Sequence, residues 1–202
     1  MVGNEPIKLY YKKPAVGLSY LMGWLLGDGH TRSQSAIAFL SQREKEIMEP
    51  IIKKEIGRFG KVTRTDRNGL LLSSSSRFLS RILSTYAGKQ NWGNIDTILS
   101  SPRFACHLIA GLWDADGSVF RERSGQLRIR LYNSDLRLLD KIAESLHKVY
   151  AIETALYRRT ANSSKSRILS RSDRFDLYVI ASSNTAWVRS IGTKMFLPWK
   201  KA

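Results

Sequence analysis

Two stretches of this 202-residue chain repeat one pattern: Leu21-Met22-Gly23-Trp24-Leu25-Leu26-Gly27-Asp28-Gly29 and Ile109-Ala110-Gly111-Leu112-Trp113-Asp114-Ala115-Asp116-Gly117. In each, an apolar run carries two small residues four apart (Gly23/Gly27 and Gly111/Ala115) and stops at an acid followed by glycine. Residues four apart share a helix face, so each run predicts a helix with a flat stripe on which another backbone can lie. Gly29 and Gly117 suit the helix stop. The acids are awkward on a lone helix. A carboxylate at a C-terminus meets the negative end of the macrodipole, and two carboxylates brought together by packed stripes resist joint ionisation. A divalent cation between them removes both difficulties, because hard cations take carboxylate and carbonyl oxygens. The pattern therefore predicts two packed helices built around a paired-acid metal site.

Charge points to the partner. The chain has 33 Lys+Arg against 17 Asp+Glu, a formal net charge of +16. The excess is spread over both halves, +7 in residues 1–100 and +9 in residues 101–202. An imbalance of this size in a folded chain implies a polyanionic partner, nucleic acid first. An anionic membrane is the lesser reading, because no long basic amphipathic helix is present. The uncharged run from Pro14 to Gly27 is too short to span a bilayer and ends in Gly-Asp-Gly, unlike a signal-peptide cleavage site. A protein of the cytoplasm or an organelle, not a secreted one, is expected. The one cysteine, Cys106, excludes a disulfide framework and a cysteine zinc site.

The rest of the chain repeats as well. After a basic arm over residues 1–14, the first half (15–88) reads as α-β-β-α-β-β-α. The first motif helix runs over Val16–Gly27, and Ser35–Ser41 is a strand. A helix spans Arg43–Phe59, with Pro50 implying a kink or a late start. A hairpin turns at Asn68-Gly69, and a helix closes at Ala87-Gly88. Residues 89–101 form a connector. Pro102 opens the second motif helix, and the second half (102–202) repeats the order: a hairpin around Ser124-Gly125, a helix from Leu136, strands at Ile152–Arg159 and Arg174–Ala181, and a last helix from about Asn184. The fold class is thus α+β, with an internal duplication at an offset of about 90 residues.

One strand carries the nucleic-acid signal most clearly. In Gln126–Tyr132 the alternation sets Leu127, Ile129 and Leu131 on one face and Gln126, Arg128, Arg130 and Tyr132 on the other. A sheet with apolar residues under its helices and Arg/Gln on its open face can enter a major groove. Arg121 and Arg123 on the neighbouring strand, and Tyr157 and Arg159, are expected on the same open face. The Ser-rich loop 160–173, with Lys165 and Arg167, is a candidate phosphate-contacting arm.

The second stretch, IAGLWDADG, is two substitutions from the nonapeptide that names the LAGLIDADG homing endonucleases, and LMGWLLGDG is a looser copy. The chain resembles the single-chain, two-motif members of that family over nearly its whole length. The resemblance implies two motif helices at a pseudo-twofold axis and two antiparallel sheets forming a saddle over duplex DNA, in a monomer. It implies that Asp28 and Asp116 are metal ligands, with the backbone carbonyls of Gly27 and Ala115 nearby, and that Asp114 has a structural role. It further implies that Gln42, Lys89 and Lys194 lie near the reacting phosphate; Asn133 and Ser134 are the weaker counterparts of Gln42 and Arg43. Two or three Mg²⁺ ions, with Mn²⁺ or Ca²⁺ able to substitute in binding, would clamp attacking and leaving oxygens. The expected reaction is hydrolysis of one phosphodiester per strand across the minor groove of a long, non-palindromic site, leaving short 3′ overhangs. Two rivals share the scaffold, an RNA-binding intron maturase and a non-catalytic DNA-binding regulator. Neither needs both acids.

Overall fold

In the computed structural model, residues 16–32, 35–41, 43–67, 69–87, 94–159 and 174–198 are described. The first half runs α1 (Val16–Asp28), β1 (Gly29–Arg32), β2 (Ser35–Leu40), α2 (Lys45–Gly57), β3 (Val62–Arg67), β4 (Gly69–Ser74) and α3 (Arg77–Ala87). A short helix, α4 (Asp96–Leu99), precedes α5 (Pro102–Asp116). The second half continues with β5 (Gly117–Arg121), β6 (Leu127–Asn133), α6 (Leu136–Tyr150), β7 (Thr154–Arg159), β8 (Arg174–Val179) and α7 (Asn184–Ser190). The α+β duplication expected from the sequence is the observed fold. Each half forms one antiparallel sheet, in the orders β1-β2-β4-β3 and β5-β6-β8-β7.

The core lies between the sheets and the helices. Ala38, Leu40, Leu70 and Leu72 of the first sheet are buried, as are Ile129, Leu131 and Leu177 of the second. Alternation thus directs one face of each sheet inward and leaves the other open. α1 is apolar nearly all round because it is covered nearly all round: Leu18 to Leu26 are all buried. On α5, Trp113 packs at 5.3 Å against Trp187 of α7, joining the second half's first and last helices. Among the described residues, no helix is long and apolar enough to cross a membrane.

Several local devices follow from residue type. Pro102 occupies the first turn of α5, where its missing N–H costs nothing. Asp135 caps α6 by accepting from Leu138 N–H at 3.2 Å. Gly125 sits at φ +82° in the β5–β6 turn, a conformation that favours glycine. Ser145 of α6 donates to the Leu99 carbonyl at 2.7 Å, tying the connector to the second half.

Three expectations change. Gly117 is no left-handed cap: at φ −89° it is already extended and begins β5. Glycine is needed there for space, because a Cβ would overlap the Trp113 carbonyl and ring; at Gly29 a Cβ would overlap Leu25. α2 starts two residues later than expected, at Lys45, and keeps Pro50 inside it. Within the connector the structure adds a short helix, α4, for which the sequence reading made no assignment. The arm 1–14 lies outside the described residues.

Candidate active site

The two small-residue stripes meet. A Cβ on Gly23 would overlap the Leu108 carbonyl oxygen, and one on Gly111 would overlap the Tyr20 carbonyl oxygen. Backbone therefore lies directly on backbone, which only glycine permits at these positions. Tyr20 and Trp24 neighbour Gly111, while Gly27 neighbours Ala115 and Asp116, so α1 and α5 run in the same sense. Their C-termini, and the two acids, end side by side. A Cβ on Gly27 would stand 2.6 Å from the Ala115 Cβ and 3.1 Å from the Asp116 carboxyl carbon. Gly27 thus keeps open the space in front of Asp116.

Asp28 and Asp116 are both half-buried. Asn133, the last residue of β6, donates its Nδ2 to Asp116 Oδ2 at 2.9 Å. Its own Oδ1 accepts the Asp135 N–H at 2.9 Å, so the amide orientation is fixed from behind. Tyr132, the preceding residue, is 40% exposed. Partial burial, then the negative charges of Asp116 and Asp28, push its phenol pKa up. One side chain near the end of β6 therefore feels both acids. The Arg130 guanidinium lies 5.9 Å from the Tyr132 ring.

Asp114 faces the other way. It is fully buried and accepts from the Tyr20 hydroxyl at 2.5 Å, the Phe196 N–H at 2.7 Å and the Leu197 N–H at 3.4 Å. Burial, then the Asp114 charge, raises the Tyr20 pKa well above its usual value. Asp114 thus ties α1, α5 and the C-terminal segment together, in line with its expected structural role.

The donors at the helix ends fit a hard divalent cation. They are two carboxylates, which are hard oxygen ligands, and Gly27 leaves the space in front of them clear of a side chain. Among the described residues there is no group of three or more His, Cys, Asp and Glu placed to hold a metal. A pair of acids, with no histidine or cysteine grouped beside them among the described residues, is a donor set that suits oxygen-loving metals over zinc-type ligation.

The other predicted site residues divide. Burial, then the charge of Lys194, lowers the His107 pKa, whereas burial raises that of Cys106 against the lesser opposing effects of a Tyr150 hydrogen bond and the Lys194 charge. His107 is nine residues, about 14 Å of helix, from Asp116. Lys194 is thus within electrostatic reach of the N-terminal half of α5, while Phe196, two residues on, donates its N–H to Asp114 near the acidic end. Gln42, Lys89, Lys165 and Arg167 lie outside the described residues. On the second sheet, Arg130 pairs in register with Tyr178, Tyr132 with Asp176, and Asp176 with Tyr157, so Arg128, Arg130, Tyr132, Tyr157 and Arg159 share the open face as expected. Gln126 lies just before β6, at the β5–β6 turn. Arg121 is a correction. It pairs with Leu127, which puts it on the helix-side parity of β5, and it donates to the Gly125 carbonyl at 3.3 Å. Arg123 lies in the turn beyond the strand. The difference is one of register, because Arg121 and Arg123 keep the parity of Val119, which is buried opposite Ile129 on the helix side. Asn133 is legible in the sequence as a position but not as a partner of Asp116. Asp176, buried at the centre of the open face, gives no sequence signal of its own.

Comparison with known proteins places this geometry among relatives. Residues 104–188 match the LAGLIDADG-like domain family. The structure is similar to I-DmoI in complex with DNA and Mn, with a TM-score of 0.65 at 14% identity, covering 89% of this chain and 97% of that one. It is also similar to full-length DUF199/WhiA from Thermatoga maritima, with a TM-score of 0.59 at 11% identity, covering 95% of this chain and 59% of that one. In sequence it is 25% identical over 143 aligned positions to an A-type ATP synthase polypeptide of Methanopyrus kandleri. That alignment covers 64% of this chain but only 14% of the relative's length.

Proposed function

Because the second half of this chain is a LAGLIDADG-like domain and its two halves together form the two-motif LAGLIDADG fold, we propose that it is a site-specific, metal-dependent endonuclease of double-stranded DNA. The observation that carries this reading is the pair of half-buried acids, Asp28 and Asp116, at adjoining helix ends in a chain of net charge +16. The similar structures of I-DmoI hold DNA with Mn or with Ca, which supports duplex DNA and a divalent metal as the partners here.

Asp28 and Asp116 would hold Mg²⁺ with the carbonyls of Gly27 and Ala115. Held there, such an ion would supply Lewis-acid chemistry and a more acidic bound water. The chain's own residues do the rest. Asn133 holds one oxygen of Asp116 and so sets the plane of its carboxylate. Tyr132, whose phenol is within electrostatic reach of both acids, would donate to a phosphate oxygen as negative charge grows on it. Arg130, behind Tyr132, adds positive charge to the same edge. Each acid belongs to its own half of the molecule, so each serves one DNA strand, and one chain suffices for a double-strand break. The break falls across the minor groove and leaves short 3′ overhangs. Since the halves differ in sequence, the recognised site is long and not palindromic.

The similarity to WhiA favours one other reading, DNA binding on this scaffold without cleavage. A single assay separates the two. Supercoiled plasmid carrying the uninterrupted host locus is incubated with the protein and Mg²⁺, beside Asp28→Asn and Asp116→Asn. Endonuclease action yields linear plasmid from the wild type only. Retention of the plasmid with no linear product would leave the binding reading in its place.

A further inference from the structure

One row across the open face of the second sheet mixes two kinds of chemistry. Phe120 of β5 pairs in register with Arg128 of β6. Arg130 pairs with Tyr178 of β8, so Ile180, two residues on, is the next open-face position and falls beside Arg128 on its other side. The row thus reads Phe120, Arg128, Ile180. Phe120 is 45% exposed and Ile180 42%, and all three line one recess with Tyr157 and Tyr178. Single exposed apolar side chains are ordinary on a protein surface. Two of them flanking one arginine, in a chain of net charge +16, fit a ligand that is polyanionic and also carries apolar groups.

Arg128 donates Nε to Glu122 at 2.8 Å, which sets the plane of its guanidinium. The side chain keeps 42% of its surface exposed, and terminal N–H groups remain to offer. A fork presented in this way matches guanine O6 and N7 in the major groove. That groove has one apolar group to set against Phe120 and Ile180, the C5-methyl of a pyrimidine, which thymine carries and cytosine lacks. Neighbouring strands are about 4.8 Å apart, against about 3.4 Å per base step. The two apolar side chains therefore reach base pairs on either side of the one that Arg128 reads.

We infer that this row reads pyrimidine C5-methyl groups: it selects a guanine flanked by base pairs whose methyl packs on Phe120 at one side and on Ile180 at the other. The inference rests on the duplex-DNA reading above. Thymine and 5-methylcytosine present the same methyl to the groove. Methylation of a cytosine at either flank therefore tightens binding, and loss of the methyl from a thymine weakens it.

The test begins with selection of bound sequences from a randomised duplex library by the full-length chain in EDTA, which prevents cleavage. Arg128→Lys keeps the charge and loses the fork, so the guanine that it flattens locates the row in the consensus. The flanking positions are then remade with single modified bases. Deoxyuridine in place of thymine removes only the methyl, and should weaken binding about fourfold at each flank. 5-Methylcytosine should bind about fourfold tighter than cytosine at the same position. Thymine at the flanks of the selected consensus makes thymine the natural ligand; cytosine there, with a gain on methylation, makes it 5-methylcytosine. Phe120→Ala should abolish methyl sensitivity at one flank and Ile180→Ala at the other, with duplex still retained, an outcome that a merely structural role would not give. An unchanged consensus with Arg128→Lys would overturn the inference while leaving DNA binding intact. So would equal binding of thymine and uracil duplexes, no gain from 5-methylcytosine, or a uracil penalty that survives both alanine variants. Retention of no duplex at low salt would overturn the DNA reading and the inference together.

Discussion

The halves of this molecule agree along the motif helices and diverge around them. Gly23 and Gly111 make the same backbone-on-backbone contact from opposite sides. Two steps from each acid, however, the second helix carries Asp114 and the first carries Leu26, and both are buried. By sheet register, Leu40 of the first half stands where Asn133 holds Asp116. What is shared is the part that brings two acids together. What differs is how each acid is oriented and what the rest of the chain is fastened to. The lesson is that the duplication preserved a geometric device and left its surroundings free to specialise.

The shared device should be the most fragile part. Gly23→Ala and Gly111→Ala each force a methyl into the carbonyl oxygen of the facing helix. Each should cost more than about 4 kcal/mol, which thermal melting would register as a drop of about 10 °C or as failure to fold. A large effect at one glycine and a small one at the other would break the symmetry claimed for the helix pair.

Next come the acids. Asp28→Asn and Asp116→Asn should each lower linear-plasmid formation about a thousandfold in a timed Mg²⁺ assay, as loss of several kcal/mol of charge stabilisation requires. If each acid serves one strand, the two variants leave nicks in opposite strands, which denaturing gels with one labelled strand would resolve. Nicks in the same strand would remove the one-acid-per-strand assignment.

Asp114→Ala tests the asymmetry directly. It leaves the buried Tyr20 hydroxyl and two backbone N–H groups without their acceptor, and should cost about 3 kcal/mol, or roughly 6–12 °C in Tm. Cleavage assayed well below the new melting point should persist. Asn133→Ala is milder, loosening one carboxylate. Single-turnover kinetics should show cleavage of one strand slowed by about tenfold, with nicked plasmid accumulating before linear.

The smallest effect concerns pH. Burial first, then the charges of Lys194 and Arg103, lowers the His107 pKa below its usual value near 6.5. The unfolded chain therefore binds this proton more readily, and the stability contributed by neutral His107 is lost as pH falls from about 6.5 through the folded-state value. Ser19 occupies the matching place in the first helix and does not titrate. Melting curves between pH 7 and pH 5.5 should show a slope that His107→Gln reduces, by about 2 °C or less. An unchanged slope would remove His107 from the difference between the halves.

Much of this was legible in the sequence because it is local. Helical spacing, the Asn68-Gly69 and Ser124-Gly125 turns, and Pro102 at a helix start each act within a few residues, and the structure places elements there. The helix pairing was legible because it occurs twice. Two kinds of fact escaped. The face of Arg121 follows from its pairing with Leu127, in step with Val119 opposite Ile129. With apolar residues at both Val119 and Phe120, the alternation in β5 does not say which face turns inward. The partners of Asp114 and Asp116 lie 82 and 17 residues away; such pairs depend on the whole chain being folded. A buried acid under Arg159 on an open face runs against the expectation for a basic surface, which is why composition concealed it.

The contact of α1 with α5 has one consequence beyond catalysis. At Gly23 and Gly111 backbone meets backbone, so no side chain there has to match the shape of its opposite number, and the Tyr20–Asp114 bond crosses the joint beside them. The two halves therefore join on terms that any sheet attached to such a helix could accept. Inheritance can rewrite one sheet's open face without renegotiating the joint, one half at a time.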